Sequence, residues 1–516
     1  MRLPTWAVRT LFVLVVAAVL VGAAAVIIHF RSGNGPRGGI SDNTVSITAS
    51  DGVKLSAEVI TPNTAGPFPL LVMPASWNSP ALEYRTIGAK FAAAAFVVVA
   101  YAQRGFRGSG GSVDLAGRKS QKDVSSVIDW ALKHTHADAS RVGVFGVSYG
   151  GGVGLLAAGQ DSRIKAVVAT SAWTDLGAAL APHGTANLAG LRWMFSQPGA
   201  EAALDPQVRQ LDDDAKNHPD AAAALLATMS KTRSAAREIQ AINRNKPAIM
   251  IANAYDDSLL DPSSLVTFFN KLHTPKRLEF ATGDHGGPEI PGLLGRSSRT
   301  IDTGAKWIDY YLNGIKNGIT SSGPVVLQDQ ATGAFHSYKS WPTAHTTLHL
   351  GTPGSSGSLT PSTATSWSQP LTTGAASGAT SGTQQIQKDA TYQPVTLSIG
   401  SVKSSAAYVW SGVPATRALR VSGTPTLRVH VDSSASAVTL FGYLYDVTAS
   451  GSATLMTYAP TTLSSGNASI TLRPVSWTVP AGHHLVLVVA TADENFQSAE
   501  PSGGLVTLSS PGALSV

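Results

Sequence analysis

Six short apolar runs, Leu70 to Met73, Phe96 to Tyr101, Val142 to Phe145, Ala166 to Thr170, Ile249 to Ala252 and Leu278 to Ala281, constrain this chain more than any other feature. They are rich in Val, Ile, Leu and Ala and show little polar alternation, which is the pattern of strands buried on both faces. Helical stretches, Ile87 to Ala95, Val124 to His134 and Gly151 to Ala158, lie between them. The alternation predicts a doubly wound, mostly parallel α/β sheet covered by helices on both sides. Val45 to Thr48 and Leu55 to Ile60 flank the turn dipeptide Asp51-Gly52, so an antiparallel hairpin is expected at the entry edge. The stretch Ala172 to Asn245 is too long for one crossover and rich in helix formers, and it reads as an inserted helical cap at about 174–245.

After the amphipathic stretch Ile301 to Leu312 the helical pattern stops. From Gly323 onward, short β-runs such as Val325 to Gln328, Leu427 to Val431, Val438 to Tyr445, Ser469 to Leu472 and His484 to Val489 sit between Gly, Ser, Pro and Asn clusters. That is the signature of a sandwich or jelly roll. Thr352 to Thr383, dominated by Ser, Thr, Gly and Ala, is expected as a long loop or partly disordered insertion. Three parts follow: an N-terminal segment and linker over 1–39, an α/β catalytic domain over 40–322, and an all-β domain over 323–516.

Thr10 to Ile28 is nineteen residues without a charge, between Arg2 and Arg9 on one side and His29 and Arg31 on the other. It is read as an uncleaved transmembrane anchor, or as a signal segment cut near Ala23-Ala24-Ala25. Either reading puts the body outside the cytoplasm and makes the membrane a partner in the first case. Four of the six excess positive charges, Arg2, Arg9, Arg31 and Arg37, lie in the first forty residues, which hold no acid. The folded body therefore offers no general field for nucleic acid. The chain contains no cysteine, which excludes disulfides, thiolate metal sites and a cysteine nucleophile. No H-E-x-x-H occurs either, and no metal or cofactor is expected.

Gly146-Val147-Ser148-Tyr149-Gly150 is a G-x-S-x-G that draws its weight from context. A β-run ends at it and a helix of small residues begins after it, which is the order of a nucleophile elbow. A serine hydroxyl needs a base, and the base needs an acid to orient it, so an Asp or Glu and then a His are required after later strands. Tyr255-Asp256-Asp257-Ser258 follows the run ending at Ala252, and Gly283-Asp284-His285-Gly286 follows the run ending at Ala281. Ser148, His285 and an aspartate, Asp257 or its neighbour Asp256, are the catalytic candidates. The oxyanion needs two donors. The Tyr149 backbone N–H is one, and the loop Pro74-Ala75-Ser76-Trp77-Asn78 should supply the other, with Trp77 and Ser76 as candidates.

Arg104-Gly105-Phe106-Arg107-Gly108-Ser109-Gly110-Gly111, the elbow with Tyr149 after Ser148, Asp257-Ser258-Leu259-Leu260, Gly283-Asp284-His285 and Trp307 to Gly314 together resemble the X-Pro dipeptidyl-peptidase and cocaine-esterase group of α/β-hydrolases. The resemblance spans most of the chain. It implies an α/β-hydrolase fold with a C-terminal jelly roll, and it favours Asp257 over Asp256 as the acid. It also implies a serine hydrolase acting on a small-molecule ester or amide, or on an X-Pro peptide. Members like cocaine esterase are expected to place a tyrosine hydroxyl in the oxyanion hole, where this chain has Ala75-Ser76-Trp77-Asn78. The alternative function is a non-catalytic surface-binding protein, with a vestigial triad and a jelly roll that binds glycan or another partner.

Overall fold

The computed structural model describes residues 40–516, apart from 198, 200–202, 355–356, 363–365 and 388–390. The first domain is built on a ten-stranded sheet of order β1-β2-β4-β3-β5-β6-β7-β8-β9-β10. The hairpin β1 (Ile40–Thr48) and β2 (Lys54–Pro62) turns at Asp51-Gly52 and pairs antiparallel. β3 (Phe68–Pro74), β4 (Val97–Tyr101), β5 (Ala137–Val147), β6 (Ile164–Thr170), β7 (Ala248–Ala254) and β8 (Lys276–Ala281) run parallel to one another. β3, β4 and β7 are buried along their whole length, which is why their sequences read as unbroken apolar runs.

Among the described residues, three α-helices come before the cap along the chain. α1 (Arg85–Ala93) follows β3, α2 (Arg118–His134) precedes β5, and α3 (Tyr149–Gln160) follows it. Gly151 and Gly154 let α3 lie close on the sheet: a Cβ at Gly154 would come within 2.8 Å of Val144, and one at Gly151 within 2.9 Å of Ala172. The cap between β6 and β7 holds α4 (Leu176–Leu180), α5 (Leu188–Phe195), α6 (Pro206–Asn217), α7 (Pro219–Ser230) and α8 (Ile239–Asn245). Later come α9 (Ser263–Lys271), α10 (Ile290–Leu293) and α11 (Arg299–Leu312); on the last, Gly304 admits Phe145 and the Trp307 indole donates to Ala248 O at 3.2 Å.

Two segments behave differently from the sequence reading. Val325–Gln328, expected among the strands of the second domain, is β9, parallel to β8 and paired through Leu278, Glu279 and Phe280; β10 (Phe335–Tyr338) closes the edge. Its three buried valine and leucine side chains cover a sheet edge that would otherwise stay open, a long-range demand invisible in a local window. Within Thr352 to Thr383, Ser358–Thr360 and Ser368–Thr372 are strands, and the buried Trp367 donates its indole N–H to Leu350 O at 2.7 Å.

The second domain is all β, of the jelly-roll type. Val438–Val447, buried throughout, lies between Ser452–Leu463 and His484–Ala490, and Leu505–Ser515 pairs with Thr347–Leu350 and Thr426–Ser433, all antiparallel. One face packs around Trp410, Leu444, Met456 and Leu487. The other carries Tyr443, Tyr445, Tyr458 and Phe496, and its edge meets the cap: Asn187 bridges Phe496, and Ala189 N–H donates to Asn495 O at 3.1 Å.

The membrane reading needs correction. Among the described residues no helix is long and apolar enough to cross a membrane. Thr10 to Ile28, on which that reading rested, lies outside the described residues.

Candidate active site

Ser148 sits between β5 and α3 at φ 54° and ψ −119°. A β-carbon on a positive-φ backbone is crowded, and the strain persists only where the surroundings over-determine it. Here they do. Ser148 N–H donates to Thr170 O at 2.8 Å and its carbonyl accepts from Gly152 N–H at 3.1 Å. A Cβ at Gly146 would overlap the backbone of Gly150, and one at Gly150 would overlap Pro74 O. The turn is therefore closed to any larger residue at either flank.

The hydroxyl points at a histidine 137 positions away: Ser148 Oγ lies 2.8 Å from His285 Nε2. His285 Nδ1 lies 2.9 Å and 3.1 Å from the two carboxylate oxygens of Asp257. An ionised carboxylate only accepts, so Nδ1 carries the proton and Nε2 is free to accept from the serine. Asp257 is fully buried, and its oxygens also accept from Leu260 N–H at 2.7 Å, Leu259 N–H at 3.1 Å and Asn253 Nδ2 at 3.2 Å. Burial works against a charged imidazole, but Asp257, Asp284 and Glu289 outweigh it and hold His285 above its ordinary value. Asp256 turns the other way. It accepts from Tyr392 O–H at 2.5 Å, and burial lifts its carboxyl to about 6.

The oxyanion candidates are committed elsewhere by their side chains. The Trp77 indole N–H donates to Met194 O in α5 at 3.1 Å, and the ring meets Phe106, Tyr149 and Phe195 edge-on at 4.9, 5.5 and 5.9 Å. Ser76 gives its N–H to Glu83 Oε2 at 2.8 Å and its hydroxyl to Val147 O at 3.1 Å. The Tyr149 hydroxyl accepts from Ala116 N–H at 2.6 Å. Among the described residues the backbone N–H groups of Trp77 and Tyr149 make no hydrogen bond within the protein.

Three supporting groups carried no assigned role in the sequence reading. Asp284 Oδ1 accepts from Ser258 N–H at 2.7 Å and His285 N–H at 2.6 Å, so one buried carboxylate ties the acid turn to the histidine loop. Glu289, fully buried, accepts from Ser171 Oγ at 3.1 Å while that oxygen accepts from Gly286 N–H at 3.2 Å; desolvation lifts its carboxyl to about 7. Arg104, opening the glycine-rich loop, is buried in a bidentate pair with Asp123 at 2.6 and 2.7 Å and holds Asp51 at 3.0 Å. Asp284 and Arg104 stood inside motifs already singled out; Glu289 had no local signal.

The sheet order, the elbow after β5 and the acid and histidine after β7 and β8 define an α/β-hydrolase. A family model described as "X-Pro dipeptidyl-peptidase (S15 family)" matches residues 51–287, and one described as "X-Pro dipeptidyl-peptidase C-terminal non-catalytic domain" matches 317–513. The chain belongs to the X-Pro dipeptidyl-peptidase and cocaine-esterase-like family of hydrolases.

Solved structures share the whole layout. A CocE/NonD family hydrolase from Staphylococcus aureus superposes with a TM-score of 0.70 at 15% identity, over 93% of this chain and 97% of that one. An aminopeptidase from a marine sediment archaeon, Thaumarchaeota archaeon, gives 0.68 at 15%, over 92% and 96%. An α-amino acid ester hydrolase gives 0.67 at 15%, over 92% and 96%. At such identities the likeness is one of fold. Among curated sequences, the quorum-quenching protein AidA of Acinetobacter baumannii is 30% identical over 190 residues, 35% of this chain and 62% of that protein. An uncharacterized 31.7 kDa protein of Escherichia coli is 38% identical over 86 residues, 16% of this chain and 30% of that protein. The chain thus spans less than two thirds of the curated relatives it matches.

Proposed function

We propose that this protein is a serine hydrolase that cleaves an ester or amide bond through an acyl-enzyme on Ser148. The observation that carries the reading is the unbroken line from Ser148 Oγ to His285 Nε2 and from His285 Nδ1 to Asp257, seated on a strained elbow. His285 takes the hydroxyl proton as Ser148 attacks the carbonyl carbon, and Asp257 stabilises the imidazolium. The oxyanion forms beside the start of α3, where the Tyr149 N–H faces it, with the Trp77 N–H as the second donor. His285 then protonates the leaving alcohol or amine, and a water activated by the same imidazole releases the acid.

The family model favours a finer variant, release of an X-Pro dipeptide. Turnover of short p-nitrophenyl esters against Ala-Pro-p-nitroanilide separates the two. Under either variant Ser148→Ala loses about 10⁴-fold or more in kcat, and a fluorophosphonate probe labels Ser148. A well-folded wild type that neither turns over these substrates nor takes the probe would instead favour a binding protein with a vestigial triad.

A further inference from the structure

The second domain reaches the triad at two places. Arg473, fully buried, donates from Nε to Asp261 Oδ2 at 2.7 Å and from Nη1 to the backbone carbonyl of Asp257 at 3.2 Å. Asp257 and Asp261 are the two ends of the acid turn between β7 and α9, so one guanidinium spans the loop that presents the acid. The guanidinium is itself held. It lies 4.1 Å over the Tyr458 ring, Arg473 N–H donates to Tyr458 O at 3.2 Å, and its carbonyl accepts from Thr457 Oγ at 2.9 Å.

The second contact is on the histidine loop. Gln387 N–H donates to the His285 carbonyl at 2.7 Å, and Gln385 N–H donates to Asp284 Oδ2 at 2.6 Å. Gln384 Nε2 adds a bond to Ser258 O at 3.3 Å. Asp284 thus joins three separate segments: the acid turn, the histidine loop and the second domain.

We propose that the second domain, whose family model is described as non-catalytic, is a working part of the triad: Arg473 and the Gln385–Gln387 strap are positioning residues that set Asp257 and His285 in register. The physical reason is that both triad partners sit on loops, which hold a geometry only as well as their neighbours fix them. Neither Arg473 nor the strap touches a reacting atom. Their effect must pass through the orientation of the imidazole, where a displacement near 1 Å can cost about 100-fold.

The inference rests on the proposed hydrolase reading and is tested on the full chain. Arg473→Lys keeps a positive charge opposite Asp261 but loses the planar fork that reaches the Asp257 carbonyl. Gln385→Pro removes the strap's N–H to Asp284, together with the two Gln385 side-chain bonds to the Gln393 backbone. For both variants we expect kcat on p-nitrophenyl acetate to fall roughly 10- to 100-fold with KM within about twofold. Fluorophosphonate labelling of Ser148 should slow by the same factor. The acid limb of kcat/KM should move to lower pH, since an imidazole less well held by Asp257 loses its proton more readily.

A domain that only adds stability would lower the unfolding temperature and leave kcat per labelled serine and the acid limb where they are. That result, in whichever of the two variants folds, overturns the proposal. If wild type itself fails to turn over or to label, the hydrolase reading falls first.

Discussion

Gly150 shows how little room the elbow leaves. Its added Cβ would meet a carbonyl oxygen of β3, which cannot rotate away as a side chain could. Gly150→Ala should therefore abolish turnover and fluorophosphonate labelling even where the circular dichroism spectrum keeps its helical bands; retained labelling would show that the loop after β3 can retreat. Glu289 makes a different demand. Its carboxyl is lifted from an ordinary 4.5 to about 7 by burial, so below pH 4.5 it is protonated in both folded and unfolded chains. Between 4.5 and 7 the unfolded chain ionises first, and the folded state loses up to about 3 kcal/mol, a loss that stays constant at higher pH. Glu289→Gln should accordingly gain stability relative to wild type on going from pH 5 to pH 8 in urea titrations. Because the Glu289 charge also favours the imidazolium of His285, alongside Asp257 and Asp284, the same variant should shift the acid limb of kcat/KM downward. An unchanged stability difference across that range would mean that the carboxyl is already ionised in the folded chain at pH 5.

Elements differ in how far their causes lie along the chain. The elbow was legible because a β-run, two glycines around a serine and a small-residue helix are all contained within Ala137 to Gln160. The entry hairpin was legible for the same reason, through Asp51-Gly52. β9 was not, since four residues carry no mark of the edge they will cover, and what decides the pairing is the vacant side of β8. Nor could spacing assign Trp77 its task. The ring spans β3 and the cap, packing on Phe106 and Tyr149 below while its N–H reaches Met194 in α5. Trp77→Phe keeps an aromatic ring, trims the indole's bulk and deletes that one bond. It should cost about 2–3 kcal/mol in global stability and leave kcat within a few-fold, because the oxyanion donor proposed at this position is the backbone N–H. A loss of 100-fold or more would transfer the oxyanion role to the indole.

At the scale of the whole molecule, the two domains are joined by a charge pair that water does not reach. Arg473 and Asp261 are each nearly fully buried and lie 212 positions apart, a separation at which no sequence window could have matched them. A pair of this kind is asymmetric in its energetics. Together the partners contribute little net stability, since desolvation offsets their attraction; singly, the survivor is a bare charge in a low-dielectric interior. Asp261→Ala should therefore cost about 3–5 kcal/mol, while the double variant Asp261→Ala with Arg473→Met should recover part of that cost by removing the stranded cation. Urea unfolding followed by tryptophan fluorescence reads both, with Trp307 buried in the first domain and Trp410 in the second. If Asp261→Ala costs under about 1 kcal/mol, water enters the interface and the pair is a surface pair in effect. If instead the double variant restores stability but not kcat, then the acid turn can be held in a folded molecule without being held in the place catalysis requires, which separates the contribution of this contact to folding from its contribution to the triad.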